Sequence, residues 1–221
     1  MRTALFVPGN RPDRINKAIA TAADAVIIDL EDSVSLSKKE ETRELVRNKL
    51  SEFRGHERNL IVRVNSLESG LLEDDLNAVV ADNLTSILVP KMEEAEQVLE
   101  INSYLLKAEK GNRIVEGRIS LMLLIESAKG VQKVFEILST TTTPRRFTTA
   151  AFGAADFSLD LGIDITKEGY ELDYPRSRIP VACRAAGIPP PLDTPFMIDL
   201  KDLDALQTDA IRAKHLGFQG K

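Results

Sequence analysis

Two acidic residues, Glu126 and Asp156, stand directly after apolar segments of the chain. Glu126 follows the segment ISLMLLI at 119–125, and Asp156 follows TTAAFGAA at 148–155. An apolar run that ends in a carboxylate is typical of a buried parallel strand whose carboxyl end faces an active site. Two such ends on neighbouring strands would place two hard oxygen ligands around one Mg²⁺ ion. The pair therefore indicates a magnesium site.

The composition is that of an ordinary folded protein, with 43% hydrophobic and 29% charged residues in 221. This length fits a single domain spanning residues 1–221. A net charge of −5 argues against nucleic acid or an anionic membrane as a partner. The single cysteine, Cys183, excludes an internal disulfide, and no segment reads as a signal peptide or a membrane span. We therefore expect a cytoplasmic protein.

Short apolar runs rich in β-formers alternate with longer amphipathic segments. The predicted strands are 3–7, 25–30, 60–64, 86–89, 119–125 and 148–152, with a weak seventh from 188. The predicted helices are 11–22, 38–53, 72–81, 93–107, 130–138, 175–186 and 200–216. Seven strand–helix units with an eighth beginning favour an α/β fold of the (β/α)8 TIM-barrel type over an open doubly wound sheet. Because residues 217–221 read as the start of an eighth strand, we expect a barrel truncated at that strand.

Charged residues recur at the carboxyl ends of the predicted strands, where barrel enzymes carry their catalytic groups. Polar loops explain any one of these positions, but a set made almost wholly of carboxylates and cations favours a shared site. The chain has no Gly-rich phosphate loop, GxSxG elbow or HExxH motif, and both of its histidines, His56 and His215, are expected at the surface. The strand-end residues are Arg11, Asp29, Glu31, Asp32, Arg63, Lys91, Glu126, Asp156 and Asp193.

Six segments at these strand ends resemble the citrate lyase β-subunit-like branch of the HpcH/HpaI aldolase superfamily. They are LFVPG at 5–9, IDLEDSV at 28–34, RVN at 63–65, VPK at 89–91, LIESAKGV at 124–131 and FGAADF at 152–157. Each segment is short, but six in family order over essentially the whole chain are highly specific. The resemblance implies a homo-oligomer, a trimer or hexamer. It also implies a C-terminal helical lid carrying a catalytic acid, which lies beyond residue 221.

The resemblance implies an enzyme, a Mg²⁺-dependent carbon–carbon lyase. Such enzymes cleave or form 3-hydroxyacyl-CoA thioesters such as citryl-, malyl- or citramalyl-CoA, with an acyl-CoA and a 2-keto acid as the fragments. Glu126 and Asp156 match the metal ligands of the family, and Arg63 matches its substrate-binding arginine. Through the metal, Glu126 also binds substrate, because two carboxylates leave positions on Mg²⁺ for the keto oxygen and its adjacent carboxylate.

The remaining strand-end residues suit the same chemistry. A planar, fixed cation such as Arg63 can stabilise the oxyanion of a thioester enolate. Glu31 and Asp32 would hold metal-bound waters and are expected to assist catalysis. Arg2 and Lys91 are candidates for binding the CoA phosphates and the substrate carboxylate.

Several alternatives remain open from the residues. Arg63 could instead be a structural partner of the acidic cluster, and Asp29 could cap the turn that follows it. The same metal site would also serve an acyl-CoA thioesterase or an aldolase of free 2-keto acids. A chain that binds metal and acyl-CoA without turnover is the non-enzymatic alternative.

Overall fold

The computed structural model describes residues 1–55 and 59–221, so the predicted surface residue His56 lies outside the described residues. Within the described part of the chain, six parallel strands form one sheet in sequence order. This confirms the α/β class and all six main strand predictions. The strands are β1 (Ala4–Pro8), β2 (Ala25–Asp29), β3 (Asn59–Arg63), β4 (Leu84–Val89), β5 (Ser120–Ile125) and β6 (Phe147–Phe152).

The seven predicted helices are present, together with one that the sequence did not predict, α6. This helix begins directly after Gly153 and ends at Gly162, whose φ of 66° stops it. No helix in the described residues is long and apolar enough to cross a membrane. The helices are α1 (Pro12–Ile19), α2 (Lys39–Glu52), α3 (Leu72–Val79), α4 (Ala95–Gly111), α5 (Ala128–Ser139), α6 (Ala154–Leu161), α7 (Asp173–Ala185) and α8 (Leu203–Leu216).

Successive strand residues point alternately to the inside of the curled sheet and to the helices. In β2, Ala25 and Ile27 belong to the inner cluster, whereas Val26 and Ile28 belong to the outer core. All four are almost fully buried, as expected of a parallel sheet covered on both faces. The inner cluster comprises Ala25, Ile27, Ile61, Leu88, Met122, Leu124, Ala151 and Leu192.

Single-residue bridges continue the sheet beyond β6. Leu192 forms one parallel bridge to β6 and another to Gly220. Lys221 then donates a backbone hydrogen bond to Arg2 and accepts one from Ala4, both at 3.0 Å. Backbone hydrogen bonds therefore lead from β6 through these positions back to β1. The weak seventh strand predicted from 188 is reduced to the bridge at Leu192.

A buried ion pair lies at the amino ends of β5 and β6. Arg146 donates to both carboxylate oxygens of Glu109, at 2.7 and 2.6 Å, and its Nε donates to Asn102. Glu109 also accepts the backbone N–H groups of Gly117 and Ile119, each at 2.9 Å. Both charged side chains are fully buried. Every carboxylate oxygen of Glu109 therefore has two donors.

Candidate active site

Arg63 gathers three carboxylates at the carboxyl ends of β2 and β3. Asp29 and Arg63 are the last residues of their strands and lie opposite each other in the sheet register. Arg63 donates through Nε and Nη2 to the two oxygens of Asp29, at 2.7 and 2.9 Å. Its Nη1 lies 3.0 Å from Glu31 and 3.3 Å from Asp32. The guanidinium also stacks over the ring of Phe6, 5.3 Å from the ring centre.

The acidic turn, residues 29–33, carries Glu31 and is fixed by hydrogen bonds with the side chains of Asp29 and Lys39. The Asp29 carboxylate accepts the backbone N–H groups of Glu31 and Ser33, at 2.9 and 3.0 Å. Asp29 therefore does cap the following turn, while the same carboxylate also pairs with Arg63. The buried ammonium of Lys39 donates to the backbone carbonyls of Leu30 and Glu31, both at 2.6 Å. These bonds fix the backbone on which Glu31 is presented.

Glu31 is buried without a complete set of donors. Its two carboxylate oxygens have no hydrogen-bond partner among the described residues, although Arg63 lies at 3.0 Å and the Lys91 ammonium at 3.4 Å. Burial raises the pKa of Glu31 above its usual value, against the lowering effect of Arg63 and Lys91. A buried carboxylate with free lone pairs is a place where a further ligand can bind.

Glu126 stands directly after β5 and is 3% exposed. One of its oxygens accepts the backbone N–H of Lys91 at 2.8 Å. Gly153 packs against the other side, since a Cβ there would lie 2.7 Å from the second oxygen. Burial raises the pKa of Glu126 to about 8, and the nearby charges of Asp156 and Glu31 add to that rise.

Asp156 and Glu126 line one cavity of about 350 Å³ together with Arg63, Asp29 and Asp32. The sequence predicted that Asp156 directly follows a strand. It lies instead in the first turn of α6. The cavity therefore draws its carboxylates from the ends of two strands, the turn after β2 and one helix. Lys91 and Glu31 join this group through their contacts with Glu126 and Arg63.

The structure does not bring Arg2 to this cavity, which corrects its assignment as a substrate-binding residue there. Arg2 precedes β1, its side chain is 87% exposed, and it pairs with Asp24, just ahead of β2. At about 3.3 Å per strand residue, the six steps from Arg2 to Pro8, the last residue of β1, place Arg2 roughly 20 Å from the carboxyl ends of the strands. It lies at the amino ends, opposite the cavity.

A model of the HpcH/HpaI aldolase/citrate lyase family matches residues 2–221. The chain belongs to this family. It is 36% identical to the citrate lyase subunit β of Leuconostoc mesenteroides over 220 residues, which span 100% of this chain and 71% of that protein. It is 29% identical to the mitochondrial citramalyl-CoA lyase of Mus musculus, covering 66% of that protein. Membership confirms the resemblance that the six segments indicated.

The fold is also that of a solved member of the HpcH/HpaI family. The citrate lyase β subunit of Mycobacterium tuberculosis, complexed with oxaloacetate and magnesium, matches with a TM-score of 0.75 and 28% identity. The match covers 98% of this chain and 88% of that one. Magnesium in that complex agrees with the metal predicted from Glu126 and Asp156.

The residues present fit a magnesium ion. All candidate donors are carboxylate oxygens, and the charges of Asp156 and Glu31 that raise the pKa of Glu126 are of the kind that a divalent cation neutralises. Among the described residues, no group of three or more His, Cys, Asp or Glu is arranged to hold a metal. Two carboxylates are sufficient for Mg²⁺, which keeps waters or substrate oxygens in its other positions. Glu126 and Asp156 are therefore the candidate ligands for such an ion.

The sequence prediction assigned no role to two residues that support the acidic turn. Lys39 reads as a surface residue of a charged helix, and Asn65 as a loop residue, yet both donate to the Leu30 carbonyl beneath the acidic turn. No spacing in the sequence marks them, because a backbone carbonyl can accept from any donor. Asn65 also donates to the Asp75 carboxylate at 2.6 Å. Asp193 was predicted as a strand-end carboxylate of the site. Its two oxygens accept hydrogen bonds from Arg176 of α7, at 3.1 and 2.9 Å.

Proposed function

We propose that this chain is a Mg²⁺-dependent carbon–carbon lyase. It cleaves or forms a 3-hydroxyacyl-CoA thioester of the citryl-, malyl- or citramalyl-CoA kind, exchanging it with an acyl-CoA and a 2-keto acid. The observation that carries the proposal is the buried Glu126 beside Asp156 in the cavity that also contains Arg63. The lyase names of the family relatives support the same reaction class.

Glu126 and Asp156 would hold the metal. When bound, Mg²⁺ supplies Lewis-acid stabilisation of the substrate oxygen on which charge develops as the carbon–carbon bond breaks. The backbone N–H of Lys91 holds one oxygen of Glu126, and Gly153 leaves room for the other. These two contacts orient the carboxylate toward the cavity before substrate arrives. Such preorganisation is what a rigid catalytic site requires.

Arg63 is placed to act on the thioester fragment. Its bidentate pairing with Asp29 fixes the guanidinium plane, and its side chain remains 12% exposed at the cavity. A fixed cation can accept the oxyanion of the departing enolate without reorganising. Glu31 and Asp32, beside Arg63, would hold waters around the metal, and Lys91 would meet the substrate carboxylate.

We also infer a (β/α)8 barrel within a single domain of residues 1–221. The six strands supply six positions of the ring, and the bridges at Leu192 and Gly220 supply the next two. The hydrogen bonds from Lys221 to the start of β1 support closure. The homo-oligomer and the cytoplasmic location stay predictions.

The test is a direct assay of the 221-residue protein with malyl-, citryl- and citramalyl-CoA, with Mg²⁺ or with EDTA, followed by mass spectrometry. Metal-dependent formation of a shorter acyl-CoA and a 2-keto acid is the expected result. Free CoA with an intact hydroxy acid would identify a thioesterase instead. No product from any substrate would leave a chain that binds without turnover. Glu126→Gln is the matched control, expected to lose Mg²⁺ binding while it stays folded.

A further inference from the structure

Lys91 has a backbone conformation that its residue type disfavours. The described residues contain two non-glycine residues with a positive φ, Lys91 at 56° and Arg113 at 59°. In this left-handed region the Cβ of an L-residue crowds the neighbouring backbone, so residues other than glycine, asparagine and aspartate rarely adopt it. A residue held there needs a reason in the structure around it.

Arg113 has an ordinary reason, because it ends a helix. Its N–H donates to the carbonyl of Lys110 at 3.2 Å. The next N–H, that of Ile114, donates to the carbonyl of Glu109 at 2.8 Å, which completes a Schellman motif after α4. Lys91 instead lies two residues after β4 and ends no helix. Its conformation therefore needs a different explanation.

The turn at Lys91 directs two successive N–H groups toward the end of β5. The N–H of Lys91 donates to one oxygen of Glu126 at 2.8 Å. The N–H of Met92 donates to the Leu124 carbonyl at 3.3 Å. In a regular strand, successive N–H groups point to opposite neighbours, so extended backbone would provide only one of these two bonds. The left-handed residue between the two peptide planes permits both.

The surrounding elements hold this turn in place. The Met92 carbonyl lies against Gly130 in the first turn of α5, where a Cβ would come within 2.5 Å of the carbonyl oxygen. The side-chain oxygen of Gln97 accepts the N–H groups of Glu93 and Glu94, at 2.8 and 2.9 Å, in the capping box that begins α4. The turn is therefore packed against α5 on one side and bonded into the start of α4 on the other.

The bond from Lys91 engages one oxygen of Glu126 and leaves the other open. The second oxygen lies beside Gly153 and accepts no hydrogen bond from the described residues. A ligand side chain that is already held in one orientation loses less conformational freedom when it binds a metal.

The side chain of Lys91 reaches a different acidic group. Its ammonium lies 3.4 Å from Glu31, and the side chain is 49% exposed, so the ammonium can also turn toward a substrate in the cavity. The backbone and the ammonium of this residue thus contact two separate carboxylates, and their contributions can be measured separately.

We propose that Lys91 is a positioning residue for the metal ligand Glu126, and that it acts through the left-handed conformation of its backbone rather than through its ammonium. The turn supplies the N–H that fixes one carboxylate oxygen, so that the other oxygen is presented to Mg²⁺. This inference rests on the proposed function and adds a requirement that the side-chain chemistry does not impose. Glycine or asparagine should serve at residue 91, and a β-branched residue should not.

Three substitutions separate the backbone from the ammonium, because each of them removes the charge. Lys91→Met keeps an unbranched side chain, Lys91→Gly favours the left-handed conformation, and Lys91→Val opposes it. In calorimetric titrations with MgCl2 and no substrate, we expect the first two to agree within about threefold and the third to bind about tenfold more weakly. Lys91→Asn, which tolerates the conformation, should match Lys91→Gly. Equal affinities in all three would overturn the inference, and an equal loss would assign the role to the ammonium.

Arg113 supplies the matched control, since it has the same conformation and does not line the cavity. At both positions, valine should lower the denaturant midpoint of unfolding relative to glycine. The affinity for Mg²⁺ should differ between valine and glycine only at residue 91. A purely structural role for Lys91 predicts lower stability with unchanged affinity, as for Arg113. If Lys91→Val does not fold, Lys91→Ala against Lys91→Gly gives the same comparison with a smaller difference, about threefold.

Glu126→Gln distinguishes the failure of this inference from the failure of the proposed function. Unchanged Mg²⁺ affinity in Glu126→Gln would refute the metal site and the lyase proposal with it. Loss of Mg²⁺ binding in Glu126→Gln, together with equal affinities in Lys91→Gly and Lys91→Val, would refute only the role of Lys91. We expect loss of binding in the first variant and a difference between the other two.

Discussion

The buried Arg146 and the partly buried Arg63 lie at opposite ends of the sheet, and their carboxylate partners differ in how many hydrogen-bond donors they have. At the amino ends, Arg146 and Glu109 form a fully buried pair in which every oxygen of Glu109 has two donors. At the carboxyl ends, Arg63 serves three carboxylates, and the oxygens of Glu31 are left without a hydrogen bond in the described structure.

The Arg146 pair contributes to the stability of the fold, whereas the Arg63 cluster is suited to binding a ligand. A closed network of buried charges has no capacity to bind anything further, so the Arg146 pair serves the fold. The Arg63 cluster has an excess of carboxylate over cation, and Glu126 and Asp156 add to that excess. A bound divalent cation would neutralise this excess of negative charge. Arginine and carboxylate side chains therefore have different roles in the two places, because the number of donors matches the number of acceptors in one and falls short in the other.

The largest effect should come from Arg146→Met. It leaves Glu109 buried without its cation, which costs about 3–5 kcal/mol of the free energy of unfolding. Denaturant unfolding would measure the loss, and the kcat of the protein that remains folded should be unchanged. A loss below about 1 kcal/mol would show that water or a rearranged partner satisfies Glu109.

Arg63→Met should act on catalysis as well as on stability, because it also leaves the buried Asp29 and Glu31 without their guanidinium partner. We expect kcat to fall about 10²- to 10³-fold because the oxyanion of the enolate loses its fixed cation. The affinity for Mg²⁺ should be retained, since the proposed metal ligands, Glu126 and Asp156, lie after β5 and in α6. Steady-state kinetics together with a magnesium titration measure both quantities. If activity survives in this variant, Arg63 is only a partner of the acidic turn.

The raised pKa of Glu126, about 8, predicts how magnesium binding depends on pH. Because folding favours the protonated form, this group's contribution to the stability of the metal-free protein is present at low pH and is lost as pH rises through about 8. Mg²⁺ must displace that proton, so its affinity should rise by roughly tenfold per pH unit toward pH 8 and then level off. Calorimetric titrations from about pH 6 to 9 measure this. A flat profile would contradict the assignment.

Gly153→Ala should have the smallest effect. The new Cβ would lie 2.7 Å from an oxygen of Glu126 and would push that carboxylate aside. We expect Mg²⁺ affinity to fall by about tenfold, as when a residue supporting a metal ligand is altered. Gly162→Ala, where a Cβ would meet nothing but the backbone has a positive φ, is the matched control for strain without contact. Equal loss of affinity in both variants would point to α6 as a whole.

The sequence predicted correctly those features that depend on a single strand and the residue that follows it. Apolar runs marked the six strands, and the carboxylate after each of two runs marked Glu126 and Asp156. Prediction failed for α6, because its eight residues follow a strand with only Gly153 between them. It also failed for Arg2, whose type suits phosphate binding but whose position before β1 places it at the other end of the sheet.

The sequence by itself determined the six strands, the alternation of inward- and outward-facing side chains along them, and the two carboxylates, Glu126 and Asp156, that are the candidate metal ligands. Those properties follow from residue type and the two-residue period of a strand. Only the tertiary structure decided that Lys39 supports the acidic turn, that Glu109 is satisfied and that Glu31 is not. These depend on donors and acceptors far apart in the chain, and proximity in space is a property of the folded molecule alone.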